Sequence, residues 1–215
     1  MNKEFFVSTF REWRLYIETF LKWLVIASLI GGVGGLIGAI FHHSIDMAEV
    51  FRSTHPWLLW LLPIAGLLIV GFYKMTRTEG LNTNHVIRAV RKGKRLSVLL
   101  MPAIFFATVL TQLCGGSAGR EGAALQMGGT IGQWIGRGLH LDDSDLRIAT
   151  LAGMAAFFSA LFGTPLAAAV FAVMVISIGI LYHVALVPCL IASLSAYFLA
   201  GALGVQPVRF EVEVP

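Results

Sequence analysis

The residues best placed to do chemistry are Arg120 and Glu121, set between Gly119 and Gly122 with long apolar segments on either side. An ionisable pair at membrane depth is costly, so it reads as functional where a water-filled cavity or another segment shelters it. Gly119 and Gly122 are expected to let the backbone take conformations that a Cβ would forbid. The run Ala123-Ala124-Leu125-Gln126-Met127 can then start a helix, and a helix start presents unpaired N–H groups and about half a positive charge. That is an anion site, with Glu121 at its mouth as a tethered anion. A carboxylate that can occupy or leave such a site is a gate, and also a proton carrier.

The rest of the chain is the kind of solvent-excluding frame that this pair needs. Of 215 residues, 57% are hydrophobic and only 13% charged, too few charges to keep a soluble domain in solution. The composition is that of an integral membrane protein with several spans. The net charge of +4 comes from two basic clusters and reports orientation; no aromatic-interleaved basic patch suggests nucleic acid. Cys114 and Cys189 read as buried small hydrophobes. No Ser-His or His-Glu-x-x-His arrangement points to an enzyme, and nothing calls for a cofactor or a metal.

Residues 1–21 look like an amphipathic helix on the inner face, with Phe5, Phe6, Phe10, Trp13 and Leu15 toward lipid. The membrane domain is expected over 22–204, and 205–215 as a polar tail. A first span from Lys22 to Phe41 meets the roughly 20 residues required, and its Gly31…Gly35 and Gly34…Gly38 spacings allow close helix approach. His42 to His55 is expected to be a polar connection, solvated loop or helix end. Spans follow over Trp57–Tyr73 and Leu96–Leu113, a segment too short to cross over Ala123–Ile135, then Leu146–Phe162, Leu166–Leu181 and Val184–Leu203. Asp143 or Ser144 is a candidate cap for the fifth. Breaks at Gly115–Gly122 and Gly163–Pro165, and a third at Asn82–Asn84, fit a site built from discontinuous helices. Lys3, Arg11, Arg14 and Lys22 should share the cytoplasmic side with Arg88, Arg91, Lys92, Lys94 and Arg95, which puts the N-terminus inside.

Gly119-Arg120-Glu121-Gly122, followed by Leu125-Gln126-Met127-Gly128-Gly129, resembles the second signature of the CLC chloride channel and transporter family. Phe162-Gly163-Thr164-Pro165-Leu166-Ala167 is similar to that family's later phenylalanine-x-x-proline-leucine-alanine stretch. The resemblance runs from about Leu24 onward. It implies an all-α membrane fold of broken and tilted helices, an inverted repeat of two halves, a homodimer, and an inner (plasma) membrane location. It makes Glu121 the gating and proton-carrying glutamate. Asn82, Gly119, Arg120, Gly122, Ala123 and Thr164 become the anion-binding candidates.

Two departures and a length difference qualify the resemblance. The family's chloride-coordinating serine is replaced at Glu79-Gly80-Leu81-Asn82-Thr83, where Asn82 is the nearest donor. The acidic pair of the chloride exchangers' inner proton route is matched by Met174 and Val175. With no proline after Gly122, these changes resemble the fluoride-exporting branch and favour fluoride over chloride; fluoride is a strong acceptor for an amide donor. Family members are about twice as long, so the chain is expected to be the first half, a fragment leading into a second half. Three alternatives stay open. A passive chloride channel would use Glu121 only as a gate, and a non-transporting fragment or assembly subunit would not use it at all. Glu121 could also serve merely to stabilise a helix end through Arg120 or Arg137, while Asn82 or Asn84 caps the Val86 helix.

Overall fold

The computed structural model describes residues 3–176 and 182–206, with side chains from residue 13 onward. Phe5, Phe6 and Phe10, the end of the sixth segment at 177–181 and most of the tail therefore lie outside the described side chains. The architecture is all-helical among the described residues. α1 covers Lys3–Thr54, α2 Leu62–Met75, α3 Thr83–Lys92 and α4 Leu100–Leu113. α5 follows over Arg120–Gly138, α6 Asp143–Phe162, α7 Pro165–Val175 and α8 Leu186–Ala202. Short 3-10 turns at Pro56–Leu61 and His183–Ala185 lead into α2 and α8. Among the described residues, four stretches are long and apolar enough to cross a membrane: Trp13–Thr54, Pro56–Met75, Asp143–Phe162 and His183–Ala202.

α1 departs from the sequence-based expectation. Its 52 residues form one unbroken helix about 78 Å long at 1.5 Å per residue. There is no junction near residue 21, and His42 to Thr54 is helical rather than a connection. The polar residues there are spaced for a helix: His42 pairs with Asp46 one turn on, at 3.0 Å. Nothing in the segment breaks the backbone until His55, which precedes Pro56 and takes φ −131°, ψ 72°, outside the α region that a following proline disfavours.

The glycines of α1 divide between two neighbours. A Cβ on Gly31 or Gly35 would collide with Ala192, Ser195 and Ala196 of α8, whereas Gly34 and Gly38 face Ala156 and Ala160 of α6. α6 is the hub. From Leu146 to Leu161 only Arg147 and Phe158 are not fully buried, the pattern of a helix apolar on all sides and covered by α1, α5, α7 and α8. It meets α5 through glycine on both sides: a Cβ at Gly128 or Gly132 would strike the backbone of Gly153 or Ala149, and one at Gly153 would strike Gly128 and Gly132. α2 is the opposite case. Only Ala65 is buried, and Leu67, Leu68 and Val70 stay exposed, an apolar surface suited to lipid.

Polar links mark the two faces of the slab. Lys22 of α1 pairs with Asp145 in the first turn of α6 at one face. His43 of α1 meets the carbonyl of Leu203 beyond α8 at the other, 3.0 Å away. α6 is capped one residue earlier than expected: Asp142, not Asp143 or Ser144, accepts from the Asp145 N–H at 2.8 Å. α5 is longer than its apolar run, because Arg120 and Glu121 form its first turn and its glycines are held against α6.

Candidate functional site

Three helix starts interrupt the apolar frame where glycine, proline and polar residues foretold them. Gly115 at φ +83° and Gly163 at φ +66° hold left-handed backbone just beyond α4 and α6, a conformation other residues rarely take. The chain then reverses into α5 at Arg120 and into α7 at Pro165. The third start, α3, is capped by Asn82, whose Oδ1 accepts from the His85 N–H at 3.0 Å. Such a cap stabilises a helix by about 1 kcal/mol. Since the capping atom must be the oxygen, the side-chain NH2 of exposed Asn82 is left pointing outward. Capping and donation to an anion are therefore compatible roles for one residue, and Asn84 is not the cap.

The starts of α3 and α5 touch. Gln126 Nε2 donates to Thr83 Oγ1 at 3.2 Å, and a Cβ at Gly122 would stand 3.2 Å from the same oxygen. Gly122 and Gln126 are one turn apart and share a face. With its oxygen accepting from Gln126, the Thr83 hydroxyl proton is free to be donated elsewhere. Gln126 Oε1 is buried without a partner, which is uncommon and suits a polar site. Thr83 and Gln126 were not among the candidate site residues read from sequence. The signal was the Gly122/Gln126 periodicity, but the facing residue on α3 is 43 positions away.

Glu121 is exposed and makes no hydrogen bond or ion pair among the described residues. Its carboxylate folds back over the helix start, with Oε2 3.1 Å from where a Gly119 Cβ would stand. Neither flanking glycine has the special backbone expected of it. Gly119 lies at φ −64°, ψ 128° and Gly122 is helical, conformations open to any residue. A Cβ at either position would be crowded: the Glu121 carboxylate at 119, or the Thr83 hydroxyl at 122, would have to give by a few tenths of an ångström. Arg120 turns the other way and pairs with Glu49 of α1, so neither Arg120 nor Arg137 pairs with Glu121. Ala123 is buried in the first turn of α5. Thr164 is exposed at the start of α7 without a side-chain cap bond, and α7 packs on α6 and α8 rather than on the α3–α5 junction.

The far ends of α3 and α5 are linked too. Buried Gln133 of α5 accepts from the Leu96 N–H at 2.6 Å and donates to the Lys94 carbonyl at 3.1 Å, clamping the connection that follows α3. The frame thus presents two abutting helix starts, an amide, a hydroxyl and a mobile-length carboxylate. Helix N-termini of this kind are chemically suited to a small anion.

Discontinuous helices that meet within an apolar frame are a feature of transporter folds, and similarity to known proteins agrees. Residues 72–215 match the voltage gated chloride channel family, and the chain belongs to it. A chloride/fluoride channel protein of Pseudomonas syringae pv. tomato is 37% identical over 193 residues, 89% of this chain and 43% of that protein. The H(+)/Cl(-) exchange transporter ClcA of Cronobacter sakazakii is 32% identical over 175 residues, 72% of this chain and 36% of that one. The crystal structure of a CLC-type fluoride/proton antiporter matches with TM-score 0.81 and 30% identity, covering 91% of this chain and 51% of the other. The chain therefore spans about half, or less, of the length of these relatives. Its fold corresponds to half of a CLC subunit in a multi-pass membrane family.

Proposed function

We propose that this chain supplies the first half-repeat of a proton-coupled anion exporter that moves fluoride in preference to chloride. The observation that carries the reading is the contact between the starts of α3 and α5 at Thr83, Gly122 and Gln126. That contact supports a site in which the first-turn N–H groups of α5, the Asn82 amide and the Thr83 hydroxyl serve one small, strongly accepting anion, which gains most from short charge-assisted bonds. Glu121 competes for that position, carries the proton when displaced, and gates the path. Arg120, engaged by Glu49, adds positive potential and anchors α5; Thr164 stands at the start of α7 for the anion's later passage. Residues 22–204 form the membrane unit, with 1–21 toward the cytoplasm and 205–215 leading on. The basic ends of α1 and α3 face inward in a plasma membrane, and two subunits form a dimer.

Met174 and Val175, which stand where the exchangers carry an acidic pair, favour a passive channel as the second reading. Efflux from liposomes holding this chain, comparing fluoride with chloride while proton uptake is followed, separates the two. Fluoride efflux with proton movement that Glu121→Gln abolishes is expected. Chloride flux without protons would make it a channel. No flux of either ion would mean that this half is insufficient by itself.

A further inference from the structure

At the face marked by the Lys22–Asp145 pair, away from the α3–α5 junction, two hollows adjoin. One is a cavity of about 200 Å3 lined by Val90, Arg91, Arg147, Ile176 and Tyr182. The other is an open apolar groove of about 590 Å3 between α1 and α8, with Tyr16, Phe20, Trp23, Val187 and Pro188 in its walls. Chain connectivity holds them side by side. Tyr182 of the cavity is two residues from Val184 of the groove, a reach of about 7 Å at most. On the other flank Arg147 is two residues from Asp145, which pairs with Lys22, the neighbour of Trp23.

The charge is unbalanced in a way that asks for an anion. Neither Arg91 nor Arg147 has a carboxylate partner among the described residues. Arg91 is held at the wall by its Nε, which donates to the carbonyl of Ile176, so its two terminal nitrogens remain for a ligand. The sequence between Ile176 and Tyr182 reads Ser-Ile-Gly-Ile-Leu and contains no acidic residue. Two guanidinium groups and a phenol suit a phosphate, which arginine binds by parallel N–H···O bonds. The groove beside it is apolar and bordered by tyrosine and tryptophan, residues that favour the bilayer interface.

We infer that the Arg91–Arg147–Tyr182 cavity and the adjoining α1–α8 groove together bind one anionic phospholipid, its phosphate between the arginines and an acyl chain in the groove. A basic pocket between helices at the membrane face is the setting for such recognition. Two arginines contribute roughly 1 kcal/mol each, so their loss should weaken the preference about 30-fold.

Native mass spectrometry of the detergent-purified chain, offered equal phosphatidylglycerol and phosphatidylcholine of matched chain length, tests this. Phosphatidylglycerol should be retained preferentially, about 30-fold less so in R91Q/R147Q and about 5-fold less in R147Q, which breaks no hydrogen bond among the described residues. R88Q/K92Q removes the same amount of charge, all of it from α3 outside the cavity, and should leave the preference intact. Val187→Trp should weaken long-chain but not short-chain phosphatidylglycerol. The inference is overturned if R147Q keeps the full preference, or if R88Q/K92Q loses as much as R91Q/R147Q. Displacement by inorganic phosphate with no dependence on chain length would also overturn it, and assign the cavity to a soluble phosphate.

Discussion

Gly153→Ala tests the seam on which the candidate site depends. The added methyl would stand 2.8 Å from both Cα and N of Gly132 and still closer to the Gly128 carbonyl, where carbon contacts are comfortable only at about 3.5–4.0 Å. All of these are backbone atoms of α5 and cannot rotate aside, so the two helices must part by about 1 Å. A gap of that size forfeits up to roughly half of each dispersion contact along the seam. Overpacking of this kind costs about 3 kcal/mol at the upper end of its range, and the better helix propensity of alanine returns about 1 kcal/mol. The expected net loss is about 2 kcal/mol, or roughly 4–8 °C in the midpoint of thermal unfolding in detergent for a chain of this size. Gly32→Ala is the matched control. It makes the same change inside α1 with nothing within 4 Å of the new methyl, and should stabilise by about 0.5–1 kcal/mol. Equal stability of Gly153→Ala and the parent, or equal loss in both variants, would refute the steric argument.

The ion pair and the cap give further outcomes. Glu49→Gln leaves Arg120 half-buried and unpaired; because both side chains retain partial exposure, a loss of about 1 kcal/mol is expected, read by thermal unfolding and recovered by pairing Arg120→Glu with Glu49→Arg. Asn82→Ala should cost about 1 kcal/mol through the lost cap. Asn82→Asp keeps a capping oxygen but lacks the NH2 donor, so thermal stability should hold while fluoride efflux falls. Unchanged efflux would remove Asn82 from the anion path.

The parts of this fold legible in the sequence are those that chemistry punctuates. Gly115 and Gly163 end helices and Pro165 opens one by backbone geometry alone, and an Arg-Glu pair in apolar surroundings announces its own importance. What stayed hidden depends on partners distant in the chain. His42, Asp46, Glu49 and Arg52 look like a loop when counted as polar residues, yet they are spaced for a helix and Glu49 has its partner 71 positions away. Gly119 and Gly122 read as positions of special backbone, yet what marks Gly122 in the folded chain is its closeness to Thr83 of another helix. The glycines of α1 read as a packing face, though only the folded chain divides them between α6 and α8.

The two tethers between α3 and α5 have a mechanical consequence. Thr83–Gln126 binds their starts and Gln133 binds the connection beyond α3 to the body of α5. Fastened at both ends, the pair behaves as a single strut whose donors keep fixed spacing. Neither helix can swing away from the other without breaking buried or part-buried hydrogen bonds. On the proposed reading, admission and release of the anion fall to the smallest moving part available, the torsions of one exposed carboxylate side chain, which turn on a far shorter timescale than helices rearrange.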